Sequence, residues 1–184
     1  GIRVIDLSLY LPGPLATQFM ADHGAEVIKV ESIHEGEPNR EKGAKRDGVS
    51  VYFANTHRGK QSLALNLKDA AGVEVLMRLA EKSDVLVESF RPGVVDRLGI
   101  GYAQVAKRAP RIVYASIAAF GQSGPYRDLA AHDLATEAMT GVLSLNRGGD
   151  GKPAIPALAN ADMLASMMTL SGVHFRVVGV SEKK

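Results

Sequence analysis

The 184-residue chain contains no cysteine, and its positive and negative charges nearly cancel. The absence of cysteine excludes a disulfide scaffold, thiolate catalysis and cysteine-ligated zinc or iron–sulfur sites, and we expect a cytoplasmic location. The net charge of +2, from 22 Lys plus Arg against 20 Asp plus Glu, argues against a nucleic-acid partner. No uncharged run reaches the ~18 residues that span a bilayer, so we expect no membrane partner either.

The start of the chain also lacks the features of a secretory signal. Arg3 and Asp6 interrupt its apolar run, and no small-residue cleavage site follows. Because the first residue is Gly1 rather than methionine, we expect a trimmed or partial chain. The composition, 46% hydrophobic and 23% charged, is that of a packed globular protein with one domain, or one domain and part of another.

Several widespread functional motifs are missing. There is no phosphate-binding loop of the form G-x-x-x-x-G-K-[ST], and the glycine string at residues 99–104 lacks the third glycine of a dinucleotide fingerprint and follows no predicted strand. The turn at residues 121–124 contains a serine but not the G-x-S-x-G elbow of hydrolases. The five histidines are scattered without metal-ligand spacing, so no metal site is predicted.

Apolar patterning predicts short strands that alternate with helices. Strands are predicted at residues 2–7, 25–30, 84–88 and 111–116, and helices at residues 15–22, 69–82, 103–108, 133–145 and 163–170, the last of them buried. Residues 12–14 are expected to break the pattern before the first helix, and residues 32–50 to form a surface loop. Strands separated by helices predict parallel pairing, hence an α/β fold with a doubly wound, Rossmann-like, mostly parallel sheet and helices on both faces.

Five cations flank the predicted strands and helices, and they are Arg58, Lys60, Lys68, Arg91 and Arg97. One interpretation is that they converge at the carboxyl edge of the sheet, where open α/β folds bind ligands, and form a phosphate site there. The other is that they are solvated cations of an ordinary protein surface. The pattern alone leaves both interpretations open.

Three titratable side chains in the second half of the chain are candidates for catalysis. Asp133 and Asp162 both directly precede helical patterns. Each is therefore interpreted either as an N-cap or as a catalytic carboxylate, since apolar neighbours shift the pKa of a carboxyl group. His132 is interpreted as a hydrogen-bonded turn residue. Capping and catalysis are compatible roles for one aspartate.

A series of short stretches, each weak alone, occurs in a distinctive order. They are G-I-R-V-I-D-L-S at residues 1–8, P-G-P at 12–14, G-A-E-V-I-K-V-E at 24–31, N-x-x-R-G-K-x-S at 55–62, L-x-L-K at 65–68, D-V-L-V-E-S-F-R-P-G at 84–93, D-R-L-G at 96–99, A-S-I-x-x-F-G-Q-S-G-P at 115–125, H-D-L at 132–134 and A-D-M at 161–163. In this order and spacing the chain resembles the family III CoA-transferases, the carnitine dehydratase and bile-acid-inducible protein F (CaiB/BaiF) group, which includes the α-methylacyl-CoA racemases. The resemblance covers residues 1–173 and implies a truncated large domain, the CoA-binding α/β domain of that family, whereas residues 174–184 form a tail that does not match it.

The resemblance implies an enzyme that uses coenzyme A, as an acyl-CoA substrate, without a metal, and that forms a homodimer at full length. Asp162 matches the family's catalytic aspartate, and His132 and Asp133 belong to the same implied catalytic group. In a transferase, Asp162 would attack the acyl-CoA thioester to give a mixed anhydride, and a carboxylic acid would accept the CoA. Backbone N–H groups near Asp162 would stabilise the developing oxyanion.

Two alternatives stay open at this point. In a 2-methylacyl-CoA racemase, His132 and Asp162 would face opposite sides of the α-carbon and act as an acid–base pair. A truncated chain could instead be a non-catalytic remnant that binds CoA or a partner subunit.

The resemblance also implies a set of CoA-binding residues, which are Leu65, Lys68, Ser89, Phe90, Arg91 and Arg97. The guanidinium groups of Arg91 and Arg97 would bind phosphates in bidentate fashion. Leu9 and Leu11 stand where some family members carry histidine and glutamine, and Ser32 stands where an arginine can occur. Those contacts are therefore not expected in this chain.

Overall fold

The computed structural model describes residues 1–181. The strands are β1 (Arg3–Asp6), β2 (Glu26–Ser32), β3 (Lys45–Arg46), β4 (Val49–Ser50), β5 (Lys60–Leu65), β6 (Val85–Glu88) and β7 (Val113–Ser116). The α-helices are α1 (Pro12–Asp22), α2 (Val51–His57), α3 (Ala70–Ala80), α4 (Val94–Arg97), α5 (Tyr102–Arg108), α6 (Asp133–Met139), α7 (Val142–Leu145) and α8 (Asn160–Ser181), and a 3-10 helix spans Pro38–Glu41.

Five strands form one parallel sheet in the order β5-β2-β1-β6-β7. Val4 of β1 lies beside Val27 of β2 on one side and Val85 of β6 on the other. From β1, the chain first adds β2 and β5 on one side of the sheet and then crosses back to add β6 and β7 on the other side. This order confirms the predicted doubly wound sheet, and it places the reversal between β1 and β6.

The sheet has a hydrophobic core on each face because side chains alternate along a strand. Val4 and Val85 pack on the face that carries Met20 of α1 and Val173 of α8. The next residues along the strands point to the opposite face, where they pack against α3 and α5; they include Ile5 and Leu86. Burying a side chain of this size contributes about 1.5–3 kcal/mol relative to leaving it exposed. The two cores hold the carboxyl edge of the sheet in place.

The prediction that residues 12–14 break the pattern before the first helix was wrong, because they form the first turn of α1. Proline is tolerated there, since the first N–H groups of a helix have no partner within the helix. Gly13 is needed for a different reason. A Cβ atom on it would lie 2.1 Å from the Cβ atom of Ser8, so only glycine lets α1 approach the end of β1 so closely.

The prediction of a surface loop at residues 32–50 was only partly right. The segment contains the 3-10 helix and a two-stranded antiparallel ribbon of β3 and β4. Glu37 and Asn39 are fully buried, because Lys29 of β2 and the loop after β1 supply partners for them. Strand β5 and helix α2 were not predicted either, because their polar residues hide any apolar period.

The single helix predicted at residues 133–145 is in fact two helices, α6 and α7. Gly141 separates them with a φ of 81°, a left-handed conformation that a helix interior does not contain. The apolar residues on either side follow one helical period, so the pattern did not reveal the break.

Helix α8 is longer than predicted and largely uncovered on one side. It begins at Asn160 and continues across residue 173, where the predicted tail would start. The prediction of a buried helix was wrong for its outer face, whose exposed side chains include Met163, Leu164, Met167, Met168 and Phe175. The division of the chain at residues 173 and 174 stays a prediction, and residues 182–184 of the predicted tail lie outside the described part of the chain.

No helix within residues 1–181 is both long and apolar enough to cross a membrane.

Candidate active site

A cavity of about 570 Å³ opens at the carboxyl edge of the sheet. Its walls come from the loop after β1, the loop after β6, the long segment between β7 and α6, and the facing turns of α6 and α8. Because β1 and β6 are the neighbours between which the strand order reverses, the cavity occupies the switch point where open α/β sheets bind ligands.

Asp162 lies in this wall, in the first turn of α8. Its backbone N–H donates to Asp133 Oδ1 at 3.1 Å, and the backbone N–H of Asn160 donates to Glu137 Oε1 at 3.2 Å. Asp133 and Glu137 are one turn apart on α6, so two carboxylates of one helix hold the start of the other. Neither Asp133 nor Asp162 is an N-cap, because α6 begins at Asp133 itself and α8 begins two residues before Asp162.

The surroundings of Asp162 disfavour its charged form. Burial raises the pKa of Asp162 above its ordinary value, and the like charge of Asp133 raises it further. His132 acts in the opposite direction. A half-buried carboxyl group with a raised pKa in a cavity wall is the arrangement expected of a group that takes part in chemistry.

His132 is in the same wall and is the residue that precedes α6. Its side chain makes no capping hydrogen bond, and its ring meets the ring of Tyr10 edge to face with the centroids 5.7 Å apart. The structure therefore brings His132, Asp133 and Asp162 together, with His132 and Asp162 facing the cavity and Asp133 behind Asp162.

Half of the residues implied for CoA binding line the cavity as well, and they are Ser89, Phe90 and Arg91. Ser89 Oγ accepts a hydrogen bond from Leu9 N–H at 2.9 Å, which joins the loops after β1 and β6. Glu88 Oε2 accepts from Phe90 N–H at 2.8 Å, and burial raises the pKa of Glu88. The hydrogen bond to Glu88, the last residue of β6, thus fixes the backbone of the loop that contains Ser89, Phe90 and Arg91.

The other three, Leu65, Lys68 and Arg97, lie outside the cavity wall. Leu65 ends β5 and packs partly against the core, and Lys68 is exposed beyond it. Strand β5 stands three positions from β6 in the sheet, roughly 15 Å at the usual strand spacing. Arg97 is exposed at the end of α4, the helix that follows β6 in the sequence.

Two of the five cations expected to converge on the carboxyl edge are elsewhere. Arg58 and Lys60 precede or begin β5, so they start from the amino edge of the sheet. Arg58 pairs with Asp22, its Nε lying 3.2 Å from Asp22 Oδ1. The ammonium of Lys60 is 3.0 Å from Asp6 Oδ2, and its side chain is 1% exposed. The interpretation of these two residues as phosphate ligands was therefore wrong.

Sequence reasoning missed Arg127, which lines the cavity from the segment after β7. Its Nε donates to the carbonyl oxygen of Gln122 at 3.0 Å. A Cβ atom on Gly93 would lie 3.4 Å from both Arg127 Nη2 and Arg97 Nη1, so two guanidinium groups flank the space that this glycine leaves open. The sequence feature that could have identified Arg127 is its position two residues after the Gly124–Pro125 turn that follows β7.

A buried network of charges lies beneath the loop after β1. Lys29 places its ammonium 3.6 Å from Asp6 Oδ1 and 3.3 Å from Glu37 Oε2. Burial alone raises the pKa of Asp6, but the charges of Lys29 and Lys60 outweigh it and lower the pKa below its ordinary range. Burial also lowers the pKa of the neighbouring His57 to about 3, with Lys60 and Lys29 adding to the effect. This network faces the interior and not the cavity.

Within residues 1–181, no group of three or more histidine, aspartate or glutamate side chains is placed to hold a metal ion.

The fold is that of a doubly wound α/β protein, and its cavity lies across the carboxyl ends of the sheet, where such folds bind ligands. The chain belongs to CoA-transferase family III, whose model matches residues 1–183. The family resemblance of the motifs is confirmed by this match.

Curated relatives give the same family. The chain is 38% identical over 174 residues to the acetyl-CoA:oxalate CoA-transferase of Acetobacter aceti, covering 94% of this chain and 45% of that protein. It is also 38% identical over 174 residues to the succinyl-CoA:glutarate CoA-transferase of Mus musculus, covering 94% of this chain and 40% of that protein. The chain thus spans less than half the length of these relatives.

Solved structures agree with the fold. A CaiB/BaiF family protein from Brucella suis superposes with a TM-score of 0.93 at 31% identity, covering 100% of this chain and 50% of that one. A hypothetical protein from Mycobacterium tuberculosis superposes with a TM-score of 0.91 at 32% identity, covering 99% of this chain and 51% of that one.

Proposed function

We propose that the protein containing this chain transfers CoA from an acyl-CoA thioester to a carboxylic acid, with Asp162 as the nucleophile. The observation that carries the proposal is that Asp162 shares the switch-point cavity with Ser89, Phe90 and Arg91. The relatives named as CoA-transferases support the same class of reaction. Because the chain spans less than half of their length, the activity is proposed for the whole protein, as a homodimer.

The first step is attack of the ionised Asp162 carboxylate on the thioester carbonyl. The C–S bond breaks, the sulfur leaves as CoA thiolate with the bonding electron pair, and the product is a mixed anhydride of Asp162 and the donor acid. The burial that raises the pKa of Asp162 also removes water from its carboxylate. Once ionised, the group is therefore a stronger nucleophile than an exposed aspartate.

The remaining steps take place first at the carbonyl of Asp162 and then at the carbonyl of the acceptor. The thiolate attacks the aspartyl carbonyl and releases the donor acid as a carboxylate, which leaves Asp162 as a CoA thioester. The acceptor carboxylate then attacks that thioester, expels the thiolate and forms a second mixed anhydride with Asp162. The thiolate attacks the acceptor's carbonyl in this anhydride, which gives the acceptor CoA ester and releases Asp162 as a carboxylate. No step consumes or releases a proton, so this cycle does not require His132 as an acid or a base.

The backbone N–H of Ala161 is the proposed donor to the oxyanion. Ala161 lines the cavity next to Asp162, and among the described residues its N–H has no partner. The two flanking N–H groups, of Asn160 and Asp162, already donate to Glu137 and Asp133. A donor fixed at the start of α8 would stabilise charge as it develops on the carbonyl oxygen.

For CoA itself, we retain the six residues implied by the family and add Arg127. Arg91 would hold the molecule near the thioester, with Arg97 and Arg127 flanking the gap at Gly93 as phosphate ligands. Leu65 and Lys68 would meet the far end, since an extended CoA is long enough to cross from the end of β6 to the end of β5.

The test incubates the full-length protein in heavy water with succinyl-CoA or a 2-methylacyl-CoA and a free carboxylic acid, and follows the masses of CoA esters. A new ester of the acceptor acid, together with hydroxylamine trapping on the peptide that contains Asp162, is the expected result. A deuterium at the α-carbon with no new ester would contradict the proposal and support the racemase alternative, which the transferase names of the relatives do not favour.

The substitution His132→Ala separates the two chemistries further. A racemase loses its acid–base partner and its activity, whereas the transferase cycle is expected to keep most of its rate. No CoA ester change of either kind would favour the non-catalytic alternative instead.

A further inference from the structure

The loop after β1 contains a backbone conformation that side chains rarely adopt. Tyr10 has a φ of 64°, in the left-handed region, where a Cβ atom is crowded by the following carbonyl. Within residues 1–181 the only other non-glycine residue with a positive φ is Asp47, in the exposed turn between β3 and β4. Such a conformation persists only where its surroundings fix it, and it is concentrated at functional sites.

Buried groups fix the backbone on both sides of Tyr10. Its N–H donates to Glu37 Oε1 at 3.0 Å, and the side-chain amide of Asn39 donates to its carbonyl oxygen. Lys29, 3.3 Å from Glu37 Oε2, donates to the carbonyl oxygen of Ser8 two residues earlier. Lys29, Glu37 and Asn39 are each at most 2% exposed. The interior of the protein therefore sets the conformation of a surface loop.

This conformation places the ring of Tyr10 in the cavity wall. Tyr10 lines the cavity with His132 and Asp162, and its ring is edge to face with the imidazole of His132. Tyr10 is 40% exposed, so its ring is accessible to a ligand. The next loop along the wall, which contains Ser89, carries the implied CoA contacts, so the Tyr10 side of the cavity is left for the reacting acid.

We propose that Tyr10 is a specificity-determining residue whose ring packs against the hydrocarbon chain of the carboxylic acid acceptor and limits its length, with Glu37 and Asn39 as its positioning residues. The inference rests on the proposed transferase function and names the residue that selects the acceptor. A rigid ring beside His132 closes the space beyond Asp162 to long chains. The buried Lys29–Glu37 pair suits this task, because breaking it is costly and the loop therefore does not yield when an acid binds.

The test compares Tyr10→Gly with Asp47→Gly in the full-length protein. Glycine accepts the left-handed conformation, so both substitutions relieve the same kind of strain, but only Tyr10→Gly removes a ring from the cavity. The measurement is kcat/KM for straight-chain acids from acetate to octanoate, with succinyl-CoA as the donor. We expect Tyr10→Gly to raise the octanoate-to-acetate ratio about 10-fold or more, and Tyr10→Phe and Asp47→Gly to leave it unchanged.

An unchanged ratio in Tyr10→Gly, or the same change in Asp47→Gly, would overturn the inference while leaving the transferase function intact. If the unsubstituted protein forms no acceptor CoA ester with any acid, the proposed function fails, and the inference fails with it. Calorimetric titration with free CoA gives a second readout. Tyr10→Gly should leave CoA affinity unchanged, and a large loss would place Tyr10 in the CoA site and contradict its role in selecting the acid.

Asn39→Ala tests the positioning role without disturbing the buried charges. It is expected to move the acceptor ratio in the same direction as Tyr10→Gly, and the double variant is expected to move it no further, because both changes act on one ring. A purely structural Asn39 would lower the melting temperature without moving the ratio. That result, or additive shifts in the double variant, would contradict the positioning role.

Discussion

Two carboxylates on either side of the loop after β1, Asp6 and Asp162, have neighbours of opposite charge. Asp6 is fully buried between the ammonium groups of Lys29 and Lys60, whereas Asp162 is half-buried beside another carboxylate, Asp133. Burial raises the pKa of both groups, but the paired cations reverse the effect for Asp6 and the like charge strengthens it for Asp162. The surroundings of Asp6 therefore favour its ionised form, whereas those of Asp162 disfavour it.

The comparison shows that the neighbouring charges, more than burial, set the direction in which the pKa of each carboxyl group is shifted. A carboxylate that forms ion pairs with buried cations has little tendency to react as a nucleophile, because attack on a carbonyl would leave those cations unpaired. A carboxylate without a cation loses less when it forms a covalent bond. The surroundings of the two carboxylates are nevertheless connected, since Glu37, which pairs with Lys29, accepts a hydrogen bond from Tyr10 N–H, and Tyr10 lines the same cavity as Asp162.

The largest effect is expected from Asp162→Asn. The neutral amide cannot attack a thioester, so transferase activity should fall by at least ~10³-fold, as measured by the initial rate of acceptor CoA ester formation. Asp150→Asn, in the exposed loop between α7 and α8, is the matched control and should keep its rate. Equal rates in both variants would remove Asp162 from the chemistry.

A smaller but substantial loss is expected from Lys29→Met, and it should appear in stability. Without the ammonium, Asp6 and Glu37 face each other in the interior, and breaking a buried ion pair typically costs about 3–5 kcal/mol. Urea unfolding of the full-length protein gives the free energy of unfolding. The exposed Lys68→Met should change it by less than about 0.5 kcal/mol. An unaltered midpoint for Lys29→Met would contradict the account of Asp6 as a charge-paired group.

Ala161→Pro is expected to lower kcat by about 10²-fold, because it removes the N–H assigned to the oxyanion. Proline is tolerated in the first turn of a helix, as α1 of this chain already shows, so the fold should be kept. The control is Ala161→Gly, which retains the N–H and should retain the rate. Comparable losses in both variants would show that the side chain, not the N–H, matters at this position.

The smallest effect is expected from Asp133→Asn, which keeps an acceptor oxygen for the N–H of Asp162 but removes the like charge. The pKa of Asp162 should then fall, so more of the group is ionised at a given acidic pH. The acid limb of the profile of kcat/KM against pH should therefore move to lower pH. Asp128→Asn, exposed and paired with Arg127, should leave the limb in place. A shift to higher pH would contradict the like-charge account.

Much of the sheet could be predicted because its central strands are short apolar runs between turns. β1, β2 and β6 are buried on both faces, and their hydrophobicity is visible without knowing their neighbours. β5 was missed because it begins with Lys60, whose partner Asp6 lies 54 residues earlier in the chain. Contacts of that range leave no local pattern.

The candidate catalytic residues of the site could be predicted from the sequence, but the residues that position the loop beside them could not. The motifs singled out His132, Asp133 and Asp162, and the structure brings the three together. Their catalytic roles stay predictions. Glu37 and Tyr10 gave no such signal, because a glutamate in a charged segment and a tyrosine in a turn are common in any sequence. Only the fold brings Lys29 of β2 to the buried Glu37, which accepts a hydrogen bond from the backbone of the exposed Tyr10.

The uncovered face of α8 also gives this chain a built-in chemical reporter. Peroxide converts an accessible thioether into a sulfoxide and spares a buried one. Of the six methionines, Met20 and Met77 are 8% and 6% exposed, and those at least 38% exposed are Met139, Met163, Met167 and Met168. The oxidation rates of the three methionines on α8, read by mass spectrometry against the two sheltered ones, therefore record whether another surface covers this helix in solution.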